Sequence, residues 1–392
     1  MDRLADDGAE AGDTDADATD HMRAWQAAGL YDPASPHAAE RLALLRWVAG
    51  FGATVEQMVA ADATGQLGAL PGDLLLRPGP RRSLAEMSER LGISLPDLVA
   101  TRRASGLPPV PPDEPILTEA DERMFRAFDR ARQFFSPDEV LHFTRVMGSS
   151  MRRVADAASE MFLADVEAGI APGTPNRLLT LGHKIVEAID LAPSVIDVFE
   201  PLFRAQLEES VRMTREARSG VSGYATVPLA IGFVDLSGFT SISEQADPAE
   251  LLQLVLDFEA DAIDLVADHG GRVVKLIGDE VMFSCVDPRG GCEIALGLVR
   301  AMSGSTATEP RGGLAYGPVI AHGGDLYGAT VNRAARMVDL AVPREVLVDA
   351  GVVEHTSAGA NTPVLMELAF EPAGRRMLKG MRDPVPLWSL SL

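Results

Sequence analysis

The hydrophobic pattern of this chain changes once, near residue 225, and this change limits the folds that are open to it. Before that point apolar residues recur every three or four positions, as in ERLALLRWVAGFG (40–52), a spacing typical of amphipathic helices. After it, short β-type runs such as PLAIGFVD (228–235) alternate with helical segments. A chain of 392 residues also exceeds the size at which a single hydrophobic core is favoured, so the sequence predicts a helical domain followed by a mixed domain.

The order of elements in the second part predicts its fold class. Beyond Val227 the pattern reads strand, helix, hairpin, helix, strand, helix, which is the order of a ferredoxin-like α+β sandwich. We therefore expect an antiparallel sheet with helices on one face. The predicted boundaries are a disordered acidic tail over 1–20, an all-helical domain over 21–203, a linker helix over 204–224 and the α+β domain over 225–392.

Two helical hairpins in the first part allow two interpretations. Thr54 with Gln57, and Ser83 with Glu86, have the spacing of capping boxes, so helices are predicted to begin there. The segments around them resemble the helix-turn-helix of bacterial transcription regulators, which would make this part a DNA-binding region. The first 100 residues, however, carry 16 acidic and 8 basic side chains, whereas DNA phosphates require a basic excess. Hairpins packed in a helical bundle are the favoured interpretation.

Composition and charge exclude several other classes of protein. The net charge of −22 argues against binding to nucleic acid, and no run of 18 or more apolar residues is available to cross a bilayer. The acidic N-terminus lacks the basic and apolar regions of a signal peptide. Cys285 and Cys292 are too few for a disulfide framework or a four-cysteine metal site. A cytoplasmic protein is expected.

Two aspartates stand where a metal site can form. Asp235 follows an apolar strand, and the chain then passes through Ser237 and Gly238 into a helix whose first N–H groups would face a phosphate. Asp279 belongs to the Gly278-Asp279 pair between two β-type runs, which is a tight hairpin signal. Taken singly, each aspartate is as readily explained as a turn or cap residue. If the hairpin lies beside the first strand, the two carboxylates converge and can bind a pair of divalent ions.

Four motifs in this order carry a resemblance to a known family. FVDLSGFT (233–240), KLIGDEVMF (275–283), DLYGATVNRAAR (325–336) and LKG (378–380) look like the catalytic domain of the class III adenylyl and guanylyl cyclases. The likeness covers about residues 225–392. An unrelated ferredoxin-like domain does not account for the four motifs together.

The resemblance implies roles for the residues around the first two motifs. Asp235 and Asp279 match the carboxylates that bind two divalent metal ions, Mg²⁺ or Mn²⁺, in this family. Gly238, Phe239 and Thr240 match positions that contact the substrate. The resemblance therefore places these five residues beside the metal ions and the substrate.

The remaining matches concern the nucleoside and the outer phosphates. Lys275 and Asp325 match the pair that reads the edge of adenine, and guanine presents an acceptor where adenine has a donor, so ATP is favoured over GTP. Asn332 and Arg336, one helical turn apart, match the residues that orient the ribose and stabilise charge on the α-phosphate. Lys379 matches a lysine that contacts the outer phosphates. Two of the three lysines in the chain thus fall on substrate positions.

The activity that the resemblance implies is adenylate cyclase, in which the ribose 3′-hydroxyl attacks the α-phosphorus and pyrophosphate leaves. In this family one subunit supplies the metal carboxylates, and its partner supplies the base-reading and transition-state residues. A homodimer with two composite sites is therefore expected. A guanylyl cyclase, and a DNA-binding regulator with a cyclase-like nucleotide sensor, remain as alternatives.

The helical part is expected to regulate this activity. The architecture as a whole is similar to actinobacterial cyclases whose helical N-terminal domain inhibits catalysis and responds to pH. His142 and His183 lie deep in helical segments and are the candidate pH sensors, because histidine titrates nearest to neutral pH. The apolar helices are equally suited to an apolar ligand such as a fatty acid.

Overall fold

A computed structural model of the protein describes most of the chain, namely residues 15–171, 174–217, 226–237, 247–302, 309–358 and 368–391. The chain divides into two compact units between Pro201 and Leu202. The first unit is helical, and the second combines helices with a sheet. The predicted fold class, an all-helical part followed by an α+β part, is confirmed. Within the described ranges, no helix is long and apolar enough to cross a membrane.

The helices of the first unit begin where local signals place them. Thr54 and Ser83 each accept a hydrogen bond from the backbone N–H three residues later, and Gln57 and Glu86 complete the exchange, so both predicted capping boxes are confirmed. The helices are α1 (Asp15–Ala27), α2 (Ala38–Gly50), α3 (Val55–Ala63), α4 (Leu70–Leu76), α5 (Leu84–Leu91), α6 (Leu95–Ala104), α7 (Glu119–Ala131), α8 (Pro137–Phe162) and α9 (Arg177–Ile189), with a π-helical turn at Leu163–Glu167. A further helix, α10 (Ala192–Ala217), continues across the boundary between the units.

Two apolar clusters stabilise the helical unit. One surrounds Leu45 and Met58, and the other surrounds Leu84 and Phe125, all of which are buried. Burying one such side chain contributes about 1.5–3 kcal/mol to folding. The helices therefore owe their stability to a shared core more than to their individual propensities.

The predicted disordered tail is too long. Helix α1 already begins at Asp15, so the prediction of disorder over 1–20 was wrong for residues 15–20. The reason lies further along the same helix, where the side chain of Trp25 is buried in the first apolar cluster. Packing of one face fixes the helix, and the polar turn before it then extends a structure that is already nucleated.

The second unit contains one mixed sheet. Its strands are β1 (Val227–Ser237), β2 (Gly271–Ile277), β3 (Glu280–Cys285), β4 (Glu309–His322), β5 (Asp325–Tyr327), β6 (Val346–Asp349), β7 (Ala369–Arg376) and β8 (Val385–Ser391). The strand order is β2-β3-β1-β4-β6-β8-β7, and β5 pairs with β4. The pair β4 and β6 is parallel, so the prediction of a purely antiparallel sheet was wrong. The chain reaches β6 from β4 through a helical crossover, and such a connection returns the next strand in the same direction.

Helices cover both faces of this sheet. They are α11 (Pro248–Asp268), α12 (Pro288–Met302), α13 (Ala329–Val338) and α14 (Ala350–Ala358). Val234 packs in the cluster formed with α11, α12 and α14, whereas Phe233 packs with α13 on the opposite face. The prediction of helices on one face was therefore wrong. The run PLAIGFV in β1 is apolar without alternation, which is the pattern of a strand that is buried on both sides.

Glycine at position 313 of β4 sets the distance between the sheet and α13. A Cβ atom there would lie 2.5 Å from the carbonyl oxygen of Ala334 and 2.8 Å from the backbone nitrogen of Val338. Gly313 therefore lets the helix lie directly on the strand. This contact holds the helix that carries Asn332 and Arg336.

Candidate active site

Asp235 lies near the end of β1, between two neighbouring strands. In the antiparallel ladders its partners are Glu280 of β3 on one side and Arg311 of β4 on the other. Nε and Nη2 of Arg311 both donate to Oδ2 of Asp235, each at 3.1 Å. Directly paired residues point to the same face of a sheet. The three side chains thus form a row, with a cation on one flank of the aspartate and a carboxylate on the other.

The hairpin between β2 and β3 brings Asp279 to the same end of the sheet. The N–H of Leu236 donates to the carbonyl oxygen of Asp279 at 3.0 Å, which joins the end of β1 to the hairpin. Burial raises the pKa of Asp279, and the charge of Asp235 adds to the rise, against the opposing charge of Arg311. The structure therefore brings the two aspartates together, as the hairpin argument predicts.

Glu280 is the third carboxylate of this cluster. Burial raises its pKa to about 7, and the charges of Asp235 and Asp279 contribute to the rise. Asp339 acts in the same direction, while Arg311 opposes it. A pKa near neutrality means that Glu280 gains and loses its proton far more readily at neutral pH than an ordinary glutamate does. The cluster has more negative charge than one arginine balances, so this end of the sheet is suited to a cation.

The carboxylates fit a divalent cation whose coordination is completed by the substrate. Mg²⁺ takes oxygen ligands and is usually bound by one or two carboxylates together with substrate phosphates. Among the residues that the structure describes, no group of three or more His, Cys, Asp or Glu side chains is arranged to hold a metal by itself. Asp235 and Asp279 supply two carboxylates of the kind that such an ion takes.

Lys275 and Asp325 form a second group. Nζ of Lys275, on β2, lies 2.7 Å from Oδ2 of Asp325, the first residue of β5. The other oxygen of Asp325 accepts the N–H of Leu326 at 2.8 Å. Burial raises the pKa of Asp325, but the hydrogen bond from Lys275 and the charges of Lys275 and Arg272 outweigh it, so this pKa lies below its ordinary value. At neutral pH Asp325 is an ionised acceptor beside a cationic donor.

The residues predicted to act on the ribose and phosphates are accessible. Asn332 and Arg336 are exposed on α13, and Arg336 makes a 3.5 Å ion pair with Asp339 in which both side chains are largely exposed. An exposed pair of this kind contributes about 0–1 kcal/mol, so a substrate can replace it. Lys379 is exposed in the connection between β7 and β8. Within the described ranges, no hydrogen bond or ion pair joins these three residues to Asp235.

Other predicted residues lie elsewhere or beyond description. Gly238, Phe239 and Thr240 are outside the described residues. His183, on α9 of the helical unit, packs against Trp47 with ring centroids 4.7 Å apart. His142 is half-buried on α8.

The comparison with protein families identifies the chain. Residues 224–391 match the family described as adenylate and guanylate cyclase catalytic domain, and residues 12–211 match the adenylate cyclase regulatory domain. The chain belongs to the adenylate cyclase family. The cyclase is 30% identical to the pH-sensitive adenylate cyclase of Mycobacterium tuberculosis, with 94% of each chain covered. It is 33% identical to the adenylate cyclase of Glutamicibacter nicotianae, covering 68% of this chain and 69% of the relative. An uncharacterized protein of Mycobacterium tuberculosis is 35% identical, covering 90% of this chain and 95% of the relative.

The sequence analysis does not identify Glu280 and Arg311, the two residues that lie beside Asp235. Glu280 is adjacent to Asp279, but its position opposite Asp235 depends on the register between β1 and β3. Arg311 has no local signal, because its position beside Asp235 depends on the register between β1 and β4. That register joins segments 76 residues apart in the cyclase.

Proposed function

We propose that this adenylate cyclase converts ATP to 3′,5′-cyclic AMP and pyrophosphate, with adenine preferred over guanine. The observation that carries the proposal is the 2.7 Å contact between Lys275 and Asp325. A lysine donates to a ring nitrogen, and an ionised carboxylate accepts from an exocyclic amine, which is the pattern that the edge of adenine requires. Guanine would leave the carboxylate facing its carbonyl oxygen, and an unpaired acceptor costs about 1–3 kcal/mol or more.

The reaction needs a nucleophile, a charged phosphate and a leaving group held in line. The ribose 3′-oxygen forms a bond to the α-phosphorus as the bond from that phosphorus to the pyrophosphate oxygen breaks. The hydroxyl proton passes to water, and no covalent enzyme intermediate forms. Asn332 donates to the ribose and fixes the direction of attack. Arg336 donates to the α-phosphate oxygens as their charge grows in the transition state. Lys379 binds the outer phosphates and stabilises the departing pyrophosphate.

The carboxylate end of the sheet prepares the site for a divalent cation. We assign two metal positions to Asp235 and Asp279, because burial and the charge of Asp235 raise the pKa of Asp279, and a divalent cation would relieve this repulsion. When bound, Mg²⁺ or Mn²⁺ supplies phosphate neutralisation and a more acidic 3′-hydroxyl. Arg311 already holds Asp235 in place with two hydrogen bonds. The aspartate is therefore oriented before substrate arrives.

The site requires a second copy of the chain. Within the described ranges, no hydrogen bond or ion pair joins the three carboxylates to the Lys275–Asp325 pair or to Asn332 and Arg336, and we infer that one chain supplies parts of two sites. In the proposed homodimer, Asp235 and Asp279 of one subunit act with the base-reading and α13 residues of its partner. Each dimer then has two composite sites.

The proposed substrate preference is tested with purified full-length protein and Mn²⁺. We expect kcat/KM for ATP to exceed that for GTP by at least about 100-fold, because a site built around specific hydrogen bonds strongly rejects a purine that cannot make them. Asp325→Ala should lower this ratio, whereas Glu354→Ala, on the exposed part of α14, should leave it unchanged. Equal turnover of both nucleotides by the wild type would contradict the proposal.

We also propose that the helical domain, over about 21–203, controls catalysis through the linker segment over 204–224. The support is the match to a regulatory domain and the similarity to a relative named as pH-sensitive. His183 is the better placed of the two histidines, because its ring packs against Trp47, with ring centroids 4.7 Å apart. A fatty acid remains a candidate ligand of the same domain.

Regulation by pH has a direct test. Acidification should raise the activity of the full chain relative to residues 225–392 alone, because protonation weakens a restraint that only the full chain contains. The measurement is the pair of pH–activity profiles between pH 5.5 and 8 at saturating ATP, with His183→Gln as a third sample. Parallel profiles for the two lengths of chain would exclude the helical domain as the pH-responsive part.

A further inference from the structure

A bulge in β2 puts two cationic side chains on one face of the strand. Arg272 and Lys275 are three residues apart, and in a regular strand that spacing places them on opposite faces. The register with β3 shifts between Val273 and Lys275. As a result Arg272 pairs with Ser284 and Lys275 pairs with Met282, two alternate residues on the same face of β3. A bulge of this type redirects side chains toward a site.

Both cations reach the turn between β4 and β5. Lys275 contacts the carboxylate of Asp325, and Nη2 of Arg272 donates to the carbonyl oxygen of Gly324 at 3.0 Å. Arg272 and Asp325 also line the same cavity. Strand β2 therefore holds both the carboxylate itself and the peptide that precedes it.

The β4–β5 turn needs a contact from another element to fix its conformation. Gly323 and Gly324 have φ angles of 62° and 83°, in the left-handed region where glycine has the greatest freedom. Strand β5 contains only three residues and pairs with β4 alone. Two successive glycines and a three-residue strand mean that few backbone contacts of the turn itself hold Asp325 in place. The hydrogen bond from Arg272 to Gly324 holds the β4–β5 turn against β2.

We propose that Arg272 is a positioning residue for purine recognition, which holds the β4–β5 turn so that Asp325 stays beside Lys275 and meets adenine. This inference rests on the proposed function, since it deepens the role of Lys275 and Asp325. Arg272 acts through the turn and does not touch the reacting atoms. Its loss should therefore weaken purine binding and lower the selectivity for adenine over guanine. The rate of the chemical step should stay unchanged.

The test compares Arg272→Met with Arg375→Met in the full-length protein. Arg375 makes a hydrogen bond of the same kind at the distant β7–β8 connection, where its Nη2 donates to the carbonyl oxygen of Pro384 at 2.8 Å. Loss of one net hydrogen bond predicts about a five-fold rise in KM for ATP and about a five-fold fall in the ATP-to-GTP ratio of kcat/KM, with kcat within about two-fold. Arg272→Lys keeps a donor and should recover part of both effects. The Arg375 variant should match the wild type.

The outcomes separate this inference from the function on which it rests. An unchanged KM and purine ratio in Arg272→Met overturns the positioning role while cyclase activity stands. A fall in kcat at constant KM overturns it as well, because that result indicates a general structural defect. Wild-type protein that makes no cyclic AMP from ATP overturns both. The hydrogen bond is exposed, so the variant should fold, and Arg272→Gln provides the same comparison if it does not.

Discussion

Replacing Asp279 by asparagine should lower cyclase activity by at least about 1,000-fold, the largest effect of any single substitution expected here, because charge stabilisation by a bound metal ion supplies several kcal/mol. Asparagine keeps the shape of the side chain but loses the charge that holds a divalent cation. The measurement is cyclic AMP formation with Mn-ATP, together with Mn²⁺ binding by electron paramagnetic resonance. Both readouts should fall.

The stability of the same variant provides an internal control. The pKa of Asp279 is raised in the folded protein, so its ionised form weakens the metal-free fold at neutral pH. Asp279→Asn should therefore melt at the same or a higher temperature than the wild type at pH 7. This difference should disappear as the pH falls below the ordinary range of an aspartate, where both proteins are uncharged at this position. Asp264→Asn, at an exposed position of α11, should change neither activity nor metal binding. Near-wild-type activity of Asp279→Asn would contradict the metal assignment.

Mixing two inactive chains should restore activity. Arg336→Ala removes a donor to the transition state and should lower kcat by about 100- to 1,000-fold with little change in KM. When Arg336→Ala and Asp279→Asn chains are co-expressed in equal amounts, half of the dimers are mixed, and each mixed dimer has one intact site. Activity should then return to about a quarter of the wild-type value, provided that the two chains pair at random.

A second mixture controls for non-specific effects. Lys275 and Arg336 are assigned to the same half of the composite site, so a mixture of Lys275→Ala and Arg336→Ala chains leaves both sites of every dimer damaged. This mixture should stay inactive under the same conditions. Recovery in both mixtures, or in neither, would contradict the division of the site between two subunits.

Local signals in the sequence predicted several elements correctly because those elements depend on near neighbours. The capping boxes at Thr54 and Ser83 are contacts over three residues, and both are present. The Gly278-Asp279 pair predicted the β2–β3 hairpin in the same way. The apolar run of β1 predicted a strand, although its lack of alternation also indicated burial on both faces, and the prediction of a single helical layer overlooked this.

The errors arise where distant segments decide the structure. The tail prediction treated residues 15–20 as isolated polar chain, but the buried Trp25 fixes the helix that contains them. The parallel pairing of β4 with β6 depends on how α13 crosses the sheet, and no local pattern reports that path. In both cases packing outweighs the preference of the segment itself.

The sequence by itself determined which side chains are available for the chemistry: Asp235, Asp279, Lys275, Asp325 and the exposed pair on α13, because their residue types and order persist in any fold. Only the tertiary structure decided what these side chains meet. Arg311 contacts Asp235 because of the register between β1 and β4. The bulge in β2 places Arg272 on the same face as Lys275, so that both side chains contact the β4–β5 turn. A shift of one residue in either ladder would point these side chains to the opposite face, and register is set by the packing of the whole sheet.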